Sequence, residues 1–458
     1  MKLLNRREVL AGFAGTSIFS MAGFHPAFAD DGYIELTARE TKIKLKGLAG
    51  PDSELMGYDG LVPGPTLRFT RGQMVRIRFR NELDVPTTVH WHGIRLDNAM
   101  DGVPGLTQDA IPPGGSFDYE FTPPDAGTFW YHAHVDSWSQ VARGLFGALI
   151  IDEVTPAFAP ENDHVLVLTD WRVDDAGAFD VASMGGMHEF EGGGRIGNLL
   201  TVNGVEKPEI PVSSSSAQRL RLINTSTARI LKLELTDAKV AIIARDGQPL
   251  ASPKEVSGDI LLGPAQRVDL TAEFAPDVPA ELNEFGGIVM ARFIPSGPAT
   301  AQASPVLVPA DLPVPDLATI RWIPLLMEGG VSGRLKDPEI AQLHGGMAMK
   351  ATAPPLWAFN NVVGMGDKPL FEAAGGESIG IEMTNKTEQY HAIHIHGHDF
   401  RIIRQTGPAN TTWFDTVVIA PAEVMRIAFV AGKPGKWMIH CHVLEHSVAG
   451  MDTWFRVS

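Results

Sequence analysis

Eight of the fifteen histidines in the sequence form four His-x-His pairs. The pairs are His90 and His92, His132 and His134, His394 and His396, and His440 and His442. Because side chains alternate between the two faces of a strand, both imidazoles of such a pair project to the same side. Eight converging imidazoles exceed what one metal ion can use, and imidazole is a favoured ligand of copper. The pairs therefore predict a cluster of about three metal ions, each held by two or three histidines.

The only cysteine in the sequence, Cys441, lies between the two histidines of the last pair. By the same alternation its side chain points to the opposite face of the strand and therefore towards a different metal ion. His446 and Met451 follow at spacings that suit a loop closing over one ion, and His391 can come from the other histidine motif. Two histidines, one thiolate and a weak axial methionine describe a blue-copper electron-transfer site. The alternative, an inert buried thiol, does not account for these neighbours.

The outer thirds of the chain carry two copies of one repeat. Residues 72–81 and 376–385 share a strand pattern that ends in asparagine, and a histidine pair begins nine residues after each asparagine. The second pair of each copy begins 19 residues after a proline, Pro113 or Pro421, and five residues after a glycine. Two copies of one β unit thus each supply two His-x-His strands.

A third copy of the repeat lies between the other two. Residues 218–224 match the strand pattern, but Leu233 and Leu235 occupy the positions where the outer copies have histidines. This middle copy is therefore expected to be a spacer that sets the geometry of its neighbours. We predict three consecutive all-β domains, at residues 30–153, 154–310 and 311–458.

Composition agrees with this architecture. The chain has 458 residues, of which 44% are hydrophobic and 20% charged, and it contains 33 prolines. Short alternating or β-branched segments indicate strands at residues 74–79, 116–121, 218–223 and 425–430. Together these features are typical of a soluble, loop-rich protein built from β-sandwiches or barrels. The net charge of −16 disfavours a nucleic-acid partner and favours cationic metals or amines over anionic substrates.

The N-terminal segment has the features of a twin-arginine export signal. Arg6 and Arg7 precede a short apolar stretch, and residues 27–29 (Ala-Phe-Ala) offer a small-residue cleavage site. We therefore expect residues 1–29 to be a signal peptide and the protein to be periplasmic or otherwise exported; an N-terminal helix of the folded domain is the alternative. Cleavage would remove three basic residues and one acidic residue, which changes the net charge from −16 to −18. No later apolar run is long enough to span a bilayer.

These motifs resemble those of the multicopper oxidase family, whose pattern includes His-x-His-Gly, His-x-His, His-x-x-His-x-His and His-Cys-His-x3-His-x4-Met. Residues 90–94, 101–105 and 127–134 are similar to segments of three-domain laccases and bacterial cuprous oxidases, and the likeness spans residues 34–458. The resemblance implies three consecutive cupredoxin-like Greek-key β-sandwich or barrel domains and four copper ions. It also implies that dioxygen is the electron acceptor and that a small reducing substrate supplies the electrons.

The family's copper ligands can be carried over residue by residue. The resemblance implies that the type 1 copper is held by His391, Cys441, His446 and Met451. It implies that the type 2 copper is held by His90 and His394. The type 3 pair would be held by His92, His132 and His442 on one ion and by His134, His396 and His440 on the other. Substrate electrons would then enter at type 1, pass through Cys441 and reduce dioxygen to water at the cluster.

Reduction of dioxygen consumes protons, so a carboxyl group near the cluster is expected to relay them. Asp101 falls where related bacterial enzymes carry such an acid, although Asp101 and Gly102 are also a turn sequence. Many bacterial relatives have a further acid directly after the last type 1 histidine, where this chain has Ser447. Either Glu445 or an ordered water takes that role, or proton delivery differs here.

The motifs decide less about the substrate. Residues 184–188 (Met-Gly-Gly-Met-His) and 344–349 (His-Gly-Gly-Met-Ala-Met) place thioethers and imidazoles in glycine-rich loops. Soft thioether ligands select cuprous ion, so these loops could deliver it to the type 1 copper, although methionine also fills irregular apolar surface. We expect oxidation of phenols, aromatic amines or cuprous ion. A cuprous oxidase dedicated to periplasmic copper tolerance is the alternative.

Two other classes of protein fit these motifs less well. A copper-free envelope scaffold of the same fold would have lost ligands that are all present in this chain. A two-domain copper nitrite reductase would not need eight cluster histidines. We therefore expect an enzyme, and we expect it to be a monomer.

Overall fold

The computed structural model describes residues 32–47, 50–298, 305–331, 333, 335–341, 355–404 and 410–458. Within these ranges the chain is almost entirely β-sheet, with three short α-helices: α1 (Ser137–Ala142), α2 (Met187–Glu191) and α3 (Leu444–Val448). The all-β prediction is therefore confirmed. The predicted signal segment and the loop at residues 344–349 lie outside the described residues, so both stay predictions.

The first third of the chain forms two four-stranded sheets. Its strands are β1 (Ile34–Ile43), β2 (Ser53–Tyr58), β3 (Gly64–Thr70), β4 (Val75–Asn81), β5 (Val89–His92), β6 (Ser116–Phe121), β7 (Gly127–Ala133) and β8 (Phe146–Asp152). The strand orders are β2-β1-β4-β6 and β3-β8-β7-β5. Every residue of β5 and β7 is buried, so both faces of these two strands are covered. They are the strands that carry histidine pairs, and each pair is therefore removed from solvent.

The middle third forms a six-stranded and a five-stranded sheet. Its strands are β9 (Asp163–Trp171), β10 (Leu199–Val202), β11 (Glu209–Ser213), β12 (Gln218–Asn224), β13 (Leu231–Leu235), β14 (Ala238–Arg245), β15 (Gln248–Glu255), β16 (Ile260–Leu262), β17 (Arg267–Phe274), β18 (Ala280–Glu284) and β19 (Ile288–Ser296). The orders are β10-β9-β12-β17-β14-β15 and β11-β19-β18-β13-β16. Leu233 is fully buried in an apolar cluster of residues 166–293, and Leu235 packs against it. This third thus has an ordinary apolar core where its neighbours have histidines.

The last third forms an eight-stranded and a five-stranded sheet. Its strands are β20 (Arg321–Gly329), β21 (Glu339–Ile340), β22 (Trp357–Phe359), β23 (Val362–Val363), β24 (Glu372–Ala373), β25 (Ser378–Asn385), β26 (His391–Ile395), β27 (Phe400–Ile402), β28 (Trp413–Phe414), β29 (Thr416–Ile419), β30 (Val424–Val430), β31 (Gly435–Cys441) and β32 (Asp452–Val457). The orders are β21-β23-β22-β20-β25-β30-β27-β28 and β24-β32-β31-β26-β29. Each pair of sheets draws its strands from one predicted domain range, and the exact domain boundaries stay predictions.

The asparagine that ends each copy of the repeat has the same structural role three times. Asn81, Asn224 and Asn385 each donate side-chain N–H bonds of 2.8–2.9 Å to backbone carbonyls of two different loops. The side-chain oxygen of each accepts a backbone N–H from two residues further along, at 2.9–3.0 Å. Because a buried amide is costly unless all its groups are bonded, this residue fixes the turn that leads to the next strand. The constant spacing from asparagine to histidine follows from this shared turn.

The outer thirds share one apolar core. A single cluster of buried residues includes Leu67 and Trp91 of the first third together with Trp357, Ile393 and Phe455 of the last. Interiors of this kind are close-packed and do not deform continuously. The histidine strands of the two outer thirds are therefore held in a fixed relation to each other.

Candidate metal centre

The four histidine pairs lie on two pairs of neighbouring strands or one residue beyond their ends. In the first third β5 and β7 are antiparallel, with His90 opposite His132. In the last third β26 and β31 are antiparallel, with His394 opposite His440. Side chains directly opposite each other on antiparallel strands project to the same face. Each sheet therefore presents four imidazoles from one face.

The two sets of four imidazoles meet between the outer thirds of the chain. The rings of His92 and His394 stack with centroids 3.7 Å apart, and those of His90 and His396 lie 4.0 Å apart. None of the eight histidines is more than 3% exposed to solvent. All eight residues predicted to form the cluster are thus brought together in one buried space.

Nitrogen atoms of these rings lie close enough to share metal ions. Within three sets of three histidines, the ligand nitrogens all lie within 4.8 Å of one another. The sets are His90, His92 and His132; His90, His394 and His396; and His134, His396 and His440. The last set is also one of the two predicted type 3 sets. In the other predicted type 3 set, the rings of His92, His132 and His442 have centroids 5.1–5.8 Å apart.

The unpaired ring nitrogens test whether this site fits metal ions. Each of the eight cluster histidines has at least one buried ring nitrogen without a hydrogen-bond partner in the described part of the chain. Burial, reinforced by neighbouring histidines, lowers the pKa of seven of these imidazoles: His92, His132, His134, His394, His396, His440 and His442. Neutral imidazoles with free lone pairs are what copper requires, and leaving such atoms unpaired is costly. The residues therefore fit a copper cluster.

In most cluster histidines a hydrogen bond to one ring nitrogen determines which nitrogen is left to face the centre of the cluster. The Nδ1 atoms of four cluster histidines lie 2.8–3.1 Å from backbone carbonyl oxygens, which can only accept. The four are His90, His132, His394 and His440. The proton is thereby held on Nδ1, and the lone pair of Nε2 is left for a metal ion. His396 follows the same pattern, with Nδ1 2.9 Å from the Asp101 carboxylate.

A second donor group surrounds Cys441 on the opposite face of β31. The Cys441 Sγ lies 3.7 Å from Nδ1 of His391 and 3.7 Å from Nδ1 of His446, and the two Nδ1 atoms are 3.1 Å apart. All three residues are fully buried, as is Met451. Burial raises the pKa of the Cys441 thiol to about 12, so a thiolate there needs a bound cation. The backbone nitrogen of Cys441 donates to the Met451 carbonyl at 3.0 Å, which brings the methionine to this site.

The second ring nitrogen, Nε2, of both His391 and His446 is also hydrogen-bonded. The Nε2 of His391 lies 2.8 Å from the Thr387 hydroxyl. The Nε2 of His446 lies 2.6 Å from the carbonyl oxygen of Gly192, which follows α2. Both Nδ1 lone pairs are therefore directed towards the sulfur. A donor set of two imidazoles, one sulfur and a neighbouring thioether fits copper.

The remaining predicted residues are placed as follows. Asp101 is 1% exposed, and its carboxylate lies between His90, at 3.3 Å, and His396, at 2.9 Å. It also ends the 3-10 turn Asn98–Met100, so the turn interpretation and the proximity to the cluster both hold. Glu445 is fully buried with neither carboxylate oxygen bonded among the described residues, and burial raises its pKa to about 8. Ser447 is also buried.

Two histidines outside the cluster are hydrogen-bonded to protein groups. His398 lies 2.9 Å from the carbonyl oxygen of His396 through Nδ1, and its Nε2 accepts the Gly432 N–H at 2.9 Å. The ring of His164 bonds the Gln218 side chain at 2.9 Å. These partners indicate structural roles for both histidines.

Several residues that contact the donor groups carry no signal in the sequence. The Asp415 carboxylate lies 3.3 Å from Nε2 of His92, and Arg267 of the middle third bonds both of its oxygens. The Trp357 ring packs on that of His446, with centroids 4.2 Å apart, and its N–H donates to the Phe190 carbonyl. Each is a single residue outside any motif, so only the folded arrangement identifies it.

In the described ranges no helix has the length and apolar character needed to cross a membrane.

Comparison with known proteins identifies relatives along most of the chain. Two family profiles described as multicopper oxidase match residues 39–155 and 334–458. The multicopper oxidase MmcO of Mycobacterium tuberculosis is 30% identical over 445 residues, which cover 91% of this chain and 85% of that protein. A copper resistance protein A homolog of Pseudomonas syringae is 26% identical and is matched over 99% of both chains. The crystal structure of a multi-copper oxidase from Pseudomonas thermotolerans has a TM-score of 0.82 and 30% identity, and covers 95% of this chain and 100% of its own.

Substitution of His396 and of His398, which lie two residues apart, distinguishes a role in metal binding from a role in packing. We expect His396→Ala to lose cluster copper because it removes a buried nitrogen that has no other partner among the described residues. We expect His398→Ala to keep its copper and to lose about 1–3 kcal/mol of stability, because it removes two internal hydrogen bonds. Copper per chain, from elemental analysis, and thermal unfolding measure both effects. Equal copper content in the two variants would contradict this assignment.

Proposed function

Because the chain belongs to the multicopper oxidase family, we propose that it holds four copper ions and couples one-electron oxidation of a small reducing substrate to reduction of dioxygen to water. Members of this family are copper-dependent oxidoreductases, so the chain is an enzyme of that class. The observation that carries the finer proposal is the position of Cys441. Its sulfur faces one donor group while His440 and His442 on either side face the other.

The proposed ligand sets combine the family pattern with the donor geometry. His391, Cys441, His446 and Met451 would hold the type 1 copper. His90 and His394 would hold the type 2 copper, with the type 3 pair on His92, His132 and His442 and on His134, His396 and His440. When bound, these ions supply one-electron transfer and the reduction of dioxygen. The protein's own contribution is to keep the imidazoles neutral, oriented and dry.

We assign proton supply to Asp101. Its carboxylate is buried between His90 and His396, within hydrogen-bond reach of both rings. A carboxyl group at that position can hold a proton beside the cluster and pass it inward. Burial also raises the pKa of Glu445 to about 8, which favours its protonated form at neutral pH. It is a candidate for the second acid, which the sequence lacks at Ser447.

The proposed electron entry is the edge of His446. A cavity of about 420 Å³ beside it is lined by Glu191, Gly330, Val331, Leu335, Pro338, Pro355 and Leu356. Glu191 precedes Gly192, whose carbonyl bonds His446, and Leu356 precedes Trp357, which packs on the same ring. The side chains that line the cavity are apolar apart from one carboxylate, and such a lining favours an aromatic ring bearing an amine or phenol. We therefore propose phenols and aromatic amines as substrates, in a protein that acts as an exported monomer.

A second candidate substrate is cuprous ion. Met187 is 49% exposed at the start of α2, four residues from Glu191, and His188 adjoins it. Relatives named copper resistance protein support a cuprous oxidase. Soft thioether ligands near the half-buried Glu191 carboxylate would bind that ion.

Replacing the sulfur tests the proposed function directly. We expect Cys441→Ser to abolish the blue absorption band and substrate-driven oxygen consumption, because a hydroxyl does not replace a thiolate ligand. Thr453→Ala, on the neighbouring strand β32, is the control and is expected to keep both. An oxygen electrode and visible absorption of copper-loaded protein provide the measurements. Undiminished oxygen consumption by Cys441→Ser would refute the proposed function, and a wild type without the blue band would favour the copper-free scaffold.

Replacing Asp101 tests proton supply. We expect Asp101→Asn to lower kcat by roughly 10²–10⁴ while copper content is retained, because the amide oxygen still accepts from His396 but holds no transferable proton. Asp97→Asn changes a nearby exposed carboxylate that pairs with Lys433 and is the matched control. Should both variants turn over like the wild type, Asp101 does not relay protons.

Methionine replacement separates the two substrates. If α2 delivers cuprous ion, changing Met184 and Met187 to Leu will raise KM for that ion several-fold and leave the rate with a model phenol unchanged. Met74→Leu, at a methionine that is 52% exposed on the first third, controls for surface hydrophobicity. Steady-state rates with each substrate decide the matter. Unchanged cuprous kinetics would exclude delivery through α2.

A further inference from the structure

In His92 the ring nitrogen with hydrogen-bond partners is Nε2, whereas in the neighbouring cluster histidines it is Nδ1. In the described part of the chain the Nδ1 of His92 is buried and unpaired, whereas its Nε2 has two oxygen neighbours. In His90, His132, His394, His396 and His440 it is Nδ1 that is bonded and Nε2 that is free. Something specific to His92 must therefore reverse the ring nitrogen that faces the cluster.

The neighbours of His92 Nε2 can only accept its proton. One is the Asp415 Oδ1 atom at 3.3 Å, and a carboxylate has no hydrogen to donate. The other is the Thr416 hydroxyl, also at 3.3 Å, whose single hydrogen is donated to Asp415 at 2.8 Å. The proton of neutral His92 is thus held on Nε2, and the lone pair lies on Nδ1. This tautomer depends on the Asp415 carboxylate staying in place beside Nε2.

Arg267 fixes Asp415 from the middle third of the chain. Its two terminal nitrogens donate to the two carboxylate oxygens at 2.8 and 2.6 Å, a bidentate pair that sets both position and orientation. The guanidinium is fully buried and is itself oriented by two backbone carbonyls, of Thr128 in β7 and of Ala265. The arginine therefore joins all three thirds of the chain at one point.

The ion pair of Arg267 and Asp415 packs directly against Gly93, where a larger residue would not fit. Gly93 follows His92 with a φ of +87°, and a Cβ there would collide with the Arg267 guanidinium and the Asp415 carboxylate. The strand that carries His92 and the ion pair are thus in direct contact. A shift of the arginine is transmitted to the ring through one carboxylate.

We propose that Arg267, which lies on the third of the chain that has no metal-ligand pair, is a positioning residue that selects the Nδ1 atom of His92 as a copper ligand by clamping Asp415. The inference rests on the proposed copper cluster and adds to it a role for the middle third beyond spacing. Loss of the clamp leaves His92 free to adopt the other tautomer. The ion that His92 helps to hold then loses a correctly directed ligand, while the Cys441 site is unaffected.

The test compares copper-loaded wild type with Arg267→Gln. Copper per chain, the blue absorption band and the fraction of copper detected by electron paramagnetic resonance are measured. Two copper ions coupled as a pair give no resonance signal, so disruption of the pair raises the detected fraction. We expect Arg267→Gln to bind cluster copper roughly 10- to 100-fold more weakly, as for other partners of metal ligands, with a higher detected fraction and an unchanged blue band.

Arg221→Gln is the matched control. Arg221 is equally buried, lies on the middle third and also bonds Thr128, but its carboxylate partner is Asp163. It is expected to lower stability and to leave copper content and the resonance spectrum as in wild type. If Arg267→Gln and Arg221→Gln have the same copper content and spectrum, Arg267 is only structural and the proposal is wrong.

Arg267→Lys keeps the charge but cannot bond both carboxylate oxygens and Thr128 at once. It is expected to give a partial loss of cluster copper, and it decides the question if Arg267→Gln does not fold. Wild-type copper content and spectrum in Arg267→Lys would overturn the proposal. A wild type that itself holds a single copper would instead refute the proposed function, so the two failures can be told apart.

Discussion

The structure depends on a set of buried imidazole nitrogens that have no hydrogen-bond partner in the described ranges. Removing such atoms from water without a partner costs free energy, and here they come from two sheets that face each other across the junction of the outer thirds. Protonation would not relieve this cost, because burial lowers the pKa of these rings. Cations bound between the sheets would satisfy the lone pairs and at the same time hold the outer thirds together. Metal binding would then stabilise the packing of the two outer thirds directly.

The alternation of side chains along a strand determines how the two donor groups are connected. Cys441 and its flanking histidines share one backbone segment, and they face opposite sides because successive residues of β31 do. No loop movement can change the distance between the groups without breaking the sheet, in which β31 pairs with both β26 and β32. The separation of the two sites is thus set by backbone geometry, and the side chains decide only which atoms each site offers.

Much of this arrangement could be predicted from sequence because it is local. The histidine pairs, Cys441 and the repeated asparagine frame are short patterns whose geometry follows from the strand itself, and the all-β fold follows from their spacing. The contacts that orient the ligands are different. Asp415 and Arg267 are 148 residues apart, and each is an ordinary charged residue until folding brings them to His92. The Gly192 carbonyl that bonds His446 is a backbone atom and has no sequence signature at all.

The two donor groups differ in how the protein covers them, and this difference suits their separate tasks. The cluster lies between two close-packed sheets, where water is excluded and electrostatic interactions are strong. The Cys441 group is instead covered by α2 and the segment after it, which belong to the middle third. The carbonyl of Gly192 bonds the ring of His446, and the carbonyl of Phe190 bonds the indole of Trp357, which packs on that ring. Such a cover can vary among related proteins without disturbing the sheets, because it contributes no strand to them. Substrate preference is therefore expected to lie in this cover, and the reaction with dioxygen in the sheets beneath it.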